Sequence, residues 1–216
     1  LGPDHHGYIK RLESIVAAFG FDRNMLQVLI LQQVNLLECG EKMKMSKREG
    51  KIVTLDELIE FVGRDAARYY FIMRNYNSHL DFDMNLAREQ SDKNPVYYVQ
   101  YGYARACSIL EHASEKGIDV KAKGPFSYDD PAEQELMLDM IGIPAVIREA
   151  AEKRSPSGLI KAIHGLVADF HSFYAKCRVL SDDITLTANR LFIVAAFKNT
   201  LKFCFDIIGI TAREKM

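Results

Sequence analysis

The chain has 216 residues, 48% of them apolar, with 28 Lys plus Arg against 29 Asp plus Glu. That length can bury a core as one large domain or two small ones, and the formal charge of −1 rules out attraction of nucleic acid by the chain as a whole, so any such pull is local. No apolar run is long enough to span a membrane, and the four cysteines (Cys39, Cys107, Cys177 and Cys204) form no C-x-x-C pair, so they read as reduced, mostly buried thiols of a cytoplasmic protein.

Residues 7–19, GYIKRLESIVAAF, set Ile9, Leu12, Ile15, Val16 and Phe19 at helical spacing ahead of Gly20. MLQVLILQQVNLLEC, 25–39, is rich in leucine and β-branched residues and nearly all apolar over 28–31. It predicts a strand buried on both faces, as in a parallel sheet. A helix followed by such a strand points to the tail of an α/β domain. EKMKMSKREGK, 41–51, then gathers Lys42, Lys44, Lys47, Arg48 and Lys51, with Gly40 before it and Gly50 inside it, opposed only by Glu41 and Glu49. In TLDELIEFVG, Thr54 and Glu57 form a capping-box pair and Gly63 a stop. A helix over about 65–74 and an extended piece leading into a short helix follow.

From Asn94 the character changes. NPVYYVQYGYARACSILEHASEKG places Pro95 in a first helical turn and Gly117 at the end. Further helices are predicted over about 131–153, interrupted near Gly142–Pro144, then over 156–176 and 188–208. No strand is predicted beyond residue 94. The chain is therefore divided near residue 90: residues 1–90 are an α/β remnant and residues 91–216 an all-α helical bundle. It opens LGPDHHGY, without Met and as if inside a motif, so a fragment is expected.

A glycine-flanked basic loop at the carboxyl edge of an α/β sheet lies where such folds bind ligands. Fixed cations there can stabilise charge spreading over phosphate oxygens. By composition alone a solvated surface loop is the plainer reading. The order of residues points elsewhere. Lys44-Met45-Ser46-Lys47-Arg48 resembles the KMSKS motif of class I aminoacyl-tRNA synthetases, with Arg48 in place of the last Ser. MSKREGKIVTLDELIEFVGRDAARYYF resembles the arginyl-tRNA synthetase form of that region. NPVYYVQYGYAR resembles the opening of the same family's anticodon-binding domain, GPDHHGYIKRL its G-x-D-H segment, and ITAREKM its ending. These stretches keep family order across the whole chain.

The resemblance implies a nucleotide-binding, Rossmann-type catalytic domain in 1–90 and an anticodon-binding domain in 91–216. It implies that arginine and ATP, the latter with Mg2+, form arginyl-adenylate and pyrophosphate, and that arginine is then esterified to tRNA(Arg). Lys44 and Lys47 match the motif lysines that stabilise the departing pyrophosphate; Ser46 shapes the loop and Met45 anchors it. Asp4 matches the residue that bonds the adenosine ribose, Gly2 allows close backbone approach, and His5 or His6 lines the same pocket, with His5 carried as the candidate. Tyr101 and Tyr174, with Met216, match the tRNA-facing set, and Arg105 stands beside Tyr101. A cytoplasmic monomer is expected. No H-I-G-H segment is found, so this stretch alone is expected not to aminoacylate.

Two other readings stay open: another class I synthetase, such as one for cysteine or methionine, and a non-catalytic tRNA-binding helical module with a relic loop. Most tyrosines at helical spacing are core residues, which weighs against any single one touching RNA. Gly102 and Ala104 fit a close backbone approach or ordinary helix packing equally well. His164 and His171 share a helical face and read as packing or surface groups. Asp81 and Asp83 point the same way on an extended piece, Asp83 being the cap of the next helix.

Overall fold

The computed structural model describes residues 1–43, 53–118 and 127–216. Among these the chain is mostly helical, with one small sheet. A 3-10 turn over Pro3–Tyr8 leads into helix α1 (Ile9–Ala18). Strand β1 (Val34–Glu38) pairs antiparallel with the two-residue β2 (Glu41–Lys42) and parallel with β3 (Leu80–Asp83), in the register Val34 to Leu80 and Leu37 to Asp83. Helices α2 (Leu55–Val62) and α3 (Arg64–Met73) lie between β2 and β3 in the chain. The bundle is α4 (Pro95–Glu115), α5 (Pro131–Glu152), α6 (Ser157–Lys176) and α7 (Ile184–Ile208).

Local chemistry explains most of these boundaries. Thr54 Oγ1 accepts from the Glu57 N–H (3.2 Å) while Glu57 Oε2 accepts from the Thr54 N–H (2.7 Å), a complete capping box at the start of α2. Those bonds hold the Glu57 carboxyl below its ordinary pKa, the Thr54 backbone bond first. Gly63 ends α2 at φ 85°, a backbone conformation that costs glycine little. Asn94 caps α4 by accepting from the Val96 N–H (3.3 Å), and its amide donates to the Ala87 and Glu89 carbonyls (3.0 and 2.8 Å). Asp83 Oδ1 accepts from the N–H groups of Asn85 and Leu86 (both 3.0 Å) and so caps the turn after β3, a single 3-10 turn over Leu86–Arg88. Asp81, exposed, accepts from Asn35 (2.7 Å).

Three expectations need correction. The strand predicted over 25–39 forms a ladder only over Val34–Glu38, because β3 offers four residues to pair with. The apolar run at 28–31 is half-buried to exposed and runs beside residue 1: the Leu1 nitrogen donates to the Leu29 carbonyl (2.8 Å), and the Leu31 N–H donates to the Leu1 carbonyl (2.7 Å). The sheet is mixed, parallel only between β1 and β3. The break predicted near Gly142–Pro144 is absent: α5 runs through Pro144, its apolar side lying against α6 with Leu136 and Ile143 buried. Burial there outweighs the backbone bond that proline lacks. The cysteines are mostly buried, as expected: Cys107, Cys177 and Cys204 lie inside, and Cys39 is exposed and held at φ 52°.

One apolar core joins the sheet, α3 and the four long helices, from Leu36 and Phe82 through Tyr69 and Tyr103 to Phe170, Phe197 and Phe205. The rings of Phe170 and Phe197 stack at 4.0 Å and bind α6 to α7. Among the described residues no helix is long and apolar enough to cross a membrane.

Candidate functional site

Helical periodicity decides which tyrosines of α4 can meet a ligand. Val96, Val99, Tyr103 and Ala106 form the buried stripe. Tyr101, two residues from Tyr103 and about 200° round the helix, is left 38% exposed. Burial pushes the Tyr103 phenol up to about 12. On α6 the buried stripe includes Ile163, Leu166, Val167, Phe170 and Phe173, and Tyr174 falls at its edge, also 38% exposed.

Helices α4 and α6 approach closely because position 102 is glycine: a Cβ there would lie 2.7 Å from Val167 Cγ1. This packing sets Tyr101 and Tyr174 on the two sides of Arg105. The guanidinium donates to Tyr101 Oη (3.0 Å) and its carbon lies 4.3 Å from the Tyr174 ring centroid. A cation at that distance over a ring face is held by the ring's quadrupole. Tyr97 continues the aromatic row, its ring nearly parallel to that of Tyr101 at 6.3 Å. Tyr98 turns inward onto two α6 imidazoles, stacked on His164 at 5.3 Å and edge-on to His171 at 5.4 Å. Burial lowers the pKa of both histidines, and for His171 the Arg105 charge adds to it.

Tyr101, Arg105 and Tyr174 line a groove of about 1010 Å³. Lys116, Lys176, Arg178 and Lys215 add positive charge to its wall, and Met216 stands at its edge. The segment that carries Arg178 is fixed from α7. Arg190 donates from Nη1 to the Arg178 carbonyl (2.9 Å), and its Nε meets Glu133 Oε1 at 2.6 Å. Glu133 is 1% exposed, so this ion pair is buried and holds α5, α7 and the end of α6 in one arrangement.

Tyr101, Arg105, Tyr174 and Met216, singled out from the sequence, thus stand around one groove although they come from three separate stretches of chain. The other candidates lie elsewhere. Gly2, Asp4 and His5 sit in the opening 3-10 turn, where the Gly2 carbonyl accepts from the His5 N–H (3.0 Å), Asp4 and His5 are exposed, and the His5 ring meets Tyr8 edge-on at 5.6 Å. Among the described residues a Cβ on Gly2 would meet only His5 Cδ2, at 3.9 Å, so none of them demands glycine there. Lys44, Met45, Ser46 and Lys47 lie outside the described residues. Sequence reasoning passed over Gln100 and Asp65, both buried beside the groove. Both lie in stretches that carry the family resemblance, Asp65 in VGRDAARYYF and Gln100 in NPVYYVQYGYAR, but the link between them is visible only in three dimensions.

Residues 99–216 match the family model described as the DALR anticodon binding domain. The whole chain is 46% identical to an arginine–tRNA ligase of Moorella thermoacetica and 45% identical to one of Staphylococcus aureus. In each case it spans 39% of the relative's length. A solved Campylobacter jejuni chain described as an arginyl-tRNA synthetase superposes with a TM-score of 0.89 at 29% identity, covering 100% of this chain and 47% of that one. Thermus thermophilus arginyl-tRNA synthetase superposes with a TM-score of 0.76 at 26% identity, covering 94% and 38%.

Proposed function

The chain belongs to the DALR anticodon-binding domain family, and from that premise we propose that it is part of an arginine–tRNA ligase, with residues 91–216 binding the anticodon arm of tRNA(Arg). Residues 1–90 are then the end of a nucleotide-binding, Rossmann-type catalytic domain. The whole enzyme joins arginine to ATP, releasing pyrophosphate, and passes arginine from the adenylate to the terminal ribose of the tRNA. Lys44 and Lys47 neutralise the departing pyrophosphate, while Ser46 and Met45 shape and anchor the loop that presents them. Asp4 accepts from a ribose hydroxyl, Gly2 leaves room for the nucleotide and His5 lines its pocket. Magnesium accompanies the phosphates of ATP, and the enzyme acts as a cytoplasmic monomer.

One observation carries the reading. Two half-exposed phenol rings with a guanidinium between them line one groove, beside Lys116, Lys176 and Arg178. Every base has a π-face, and stacking on an aromatic side chain contributes roughly 1–3 kcal/mol per base. Unstacked loop bases are what such a groove accommodates. Lysines and arginines along the rim attract the phosphates, which is how a nearly neutral protein binds RNA at one place.

The test is tRNA(Arg) affinity in Tyr101→Ala and Tyr174→Ala. Each substitution is expected to weaken binding about tenfold, the size of one lost stack, and to erase much of the preference for the arginine anticodon over a changed one. Unaltered affinity and preference in both variants would count against the groove as the anticodon site.

A further inference from the structure

Asp65 lies on α3 at 9% exposure, and both of its oxygens are taken by neutral donors. Gln100 Nε2 donates to Oδ2 at 2.9 Å, and Thr211 Oγ1 donates to Oδ1 at 3.3 Å. The same Gln100 amide donates its second N–H to the Thr211 carbonyl at 2.9 Å, and Gln100 is itself 3% exposed. A buried carboxylate met only by neutral donors is a costly way to fill space. What this one achieves is geometric. It joins α3 to α4 and to the segment after α7 across 35 and 146 residues, and the Gln100 bond to Thr211, across 111, closes the triangle.

The path of that last segment shows what the junction holds. Helix α7 ends at Gly209 (φ 71°), and Ile210 is buried with its N–H on the Phe205 carbonyl (3.1 Å). Arg68 Nε donates to the Ile208 carbonyl. Beyond Thr211 the half-buried Ala212 packs against the core, and among the described residues Lys215 and Met216 are tied by an exposed bond from Lys215 Nζ to Glu111 (3.4 Å), of the kind that contributes little. Lys215 and Met216 nevertheless line the tyrosine groove and also a second groove between α3 and α4, so the tail is the ridge between the two. Gln100 directly precedes Tyr101, so its bond to the exposed Thr211 fixes the start of the tail next to the ring it accompanies.

We propose that Asp65 and Gln100 are positioning residues that seat Lys215 and Met216 on the rim of the anticodon groove. The proposal rests on the RNA-binding reading above. It is tested with an anticodon stem-loop RNA of tRNA(Arg) and four proteins: the unaltered protein, Gln100→Leu, a variant ending at Glu214, and the two changes combined. Gln100→Leu should weaken hairpin binding by roughly tenfold, the size of one charge-assisted hydrogen bond. In the shortened background the same substitution should cost less than twofold, because the residues it positions are gone. In the free protein, carbon-13 relaxation of the Met216 methyl should show the loosened motion of an untethered segment. Asp65→Asn, which removes one acceptor while keeping the shape, should give the same loosening and serves if Gln100→Leu does not fold. An equal loss in both backgrounds, or a Met216 methyl as ordered in the variants as in the unaltered protein, overturns the proposal. Failure of the unaltered protein to bind the hairpin would instead sink the RNA reading, with the relaxation result still deciding whether the pair seats the tail.

Discussion

At Gly102 there is no room for a methyl group. An added Cβ would stand 2.7 Å from Val167 Cγ1 and 3.2 Å from Cγ2, and Val167 is a buried, β-branched side chain with little freedom to turn aside. Overpacking of this kind usually costs 1–3 kcal/mol, more than the gain of about 1 kcal/mol that alanine brings to a helix interior. Gly102→Ala is therefore expected to lower stability in urea unfolding by about 1 kcal/mol and to widen the α4–α6 approach that sets Tyr101 against Tyr174. Gly165, also within a helix, is the contrast. Its Cβ would meet only Asp139 Oδ2, at 3.9 Å, so Gly165→Ala should stabilise by roughly 0.5–1 kcal/mol. The two glycines look alike in sequence, and only the facing helix separates them.

At the scale of elements, α5 is where local rules and packing disagree. Pro144 lacks the N–H that would donate to the Met140 carbonyl and crowds that carbonyl with its ring. Taken alone, the residues around Gly142–Pro144 predict two helices. The structure keeps one of 22 residues, because Leu136 and Ile143 are buried on the side that meets α6 and Glu133 is fixed by Arg190 and the Asp130 cap. Pro144→Ala is accordingly expected to raise stability by about 1–3 kcal/mol, read as a higher melting temperature with no loss of RNA affinity. A drop in stability would mean that the proline ring itself fills the α5 surface. Elsewhere the elements are legible: Thr54 with Glu57, Asn94 with Pro95, and Gly63, Gly117 and Gly209 mark their ends, since a cap is made by residues two to four apart in sequence.

For the whole molecule, the proposed function divides the labour between the lysines of the KMSK stretch, 44–47, and the groove beside α4 and the end of α6. Chemistry and RNA recognition should then fail separately. In the full-length ligase proposed above, Lys47→Ala is expected to slow adenylate formation by two orders of magnitude or more while leaving tRNA affinity nearly unchanged; a matching loss of tRNA affinity would undo the division. Legible without coordinates were the helical bundle, the caps and the ordered motifs from GPDHHGY through MSKREG to ITAREKM. Each of those is written in residues close together, where backbone geometry and short-range hydrogen bonds decide the outcome. Resemblance named Tyr101 and Tyr174, but folding supplied the reason: Tyr103 is buried and Tyr101 is left 38% exposed. The tertiary structure alone brought Arg105 between Tyr101 and Tyr174, and tied Asp65 through Gln100 to Thr211. Those relations depend on burial and on contacts between residues as much as 146 positions apart, and no local pattern carries the free energy of packing that brings such residues together.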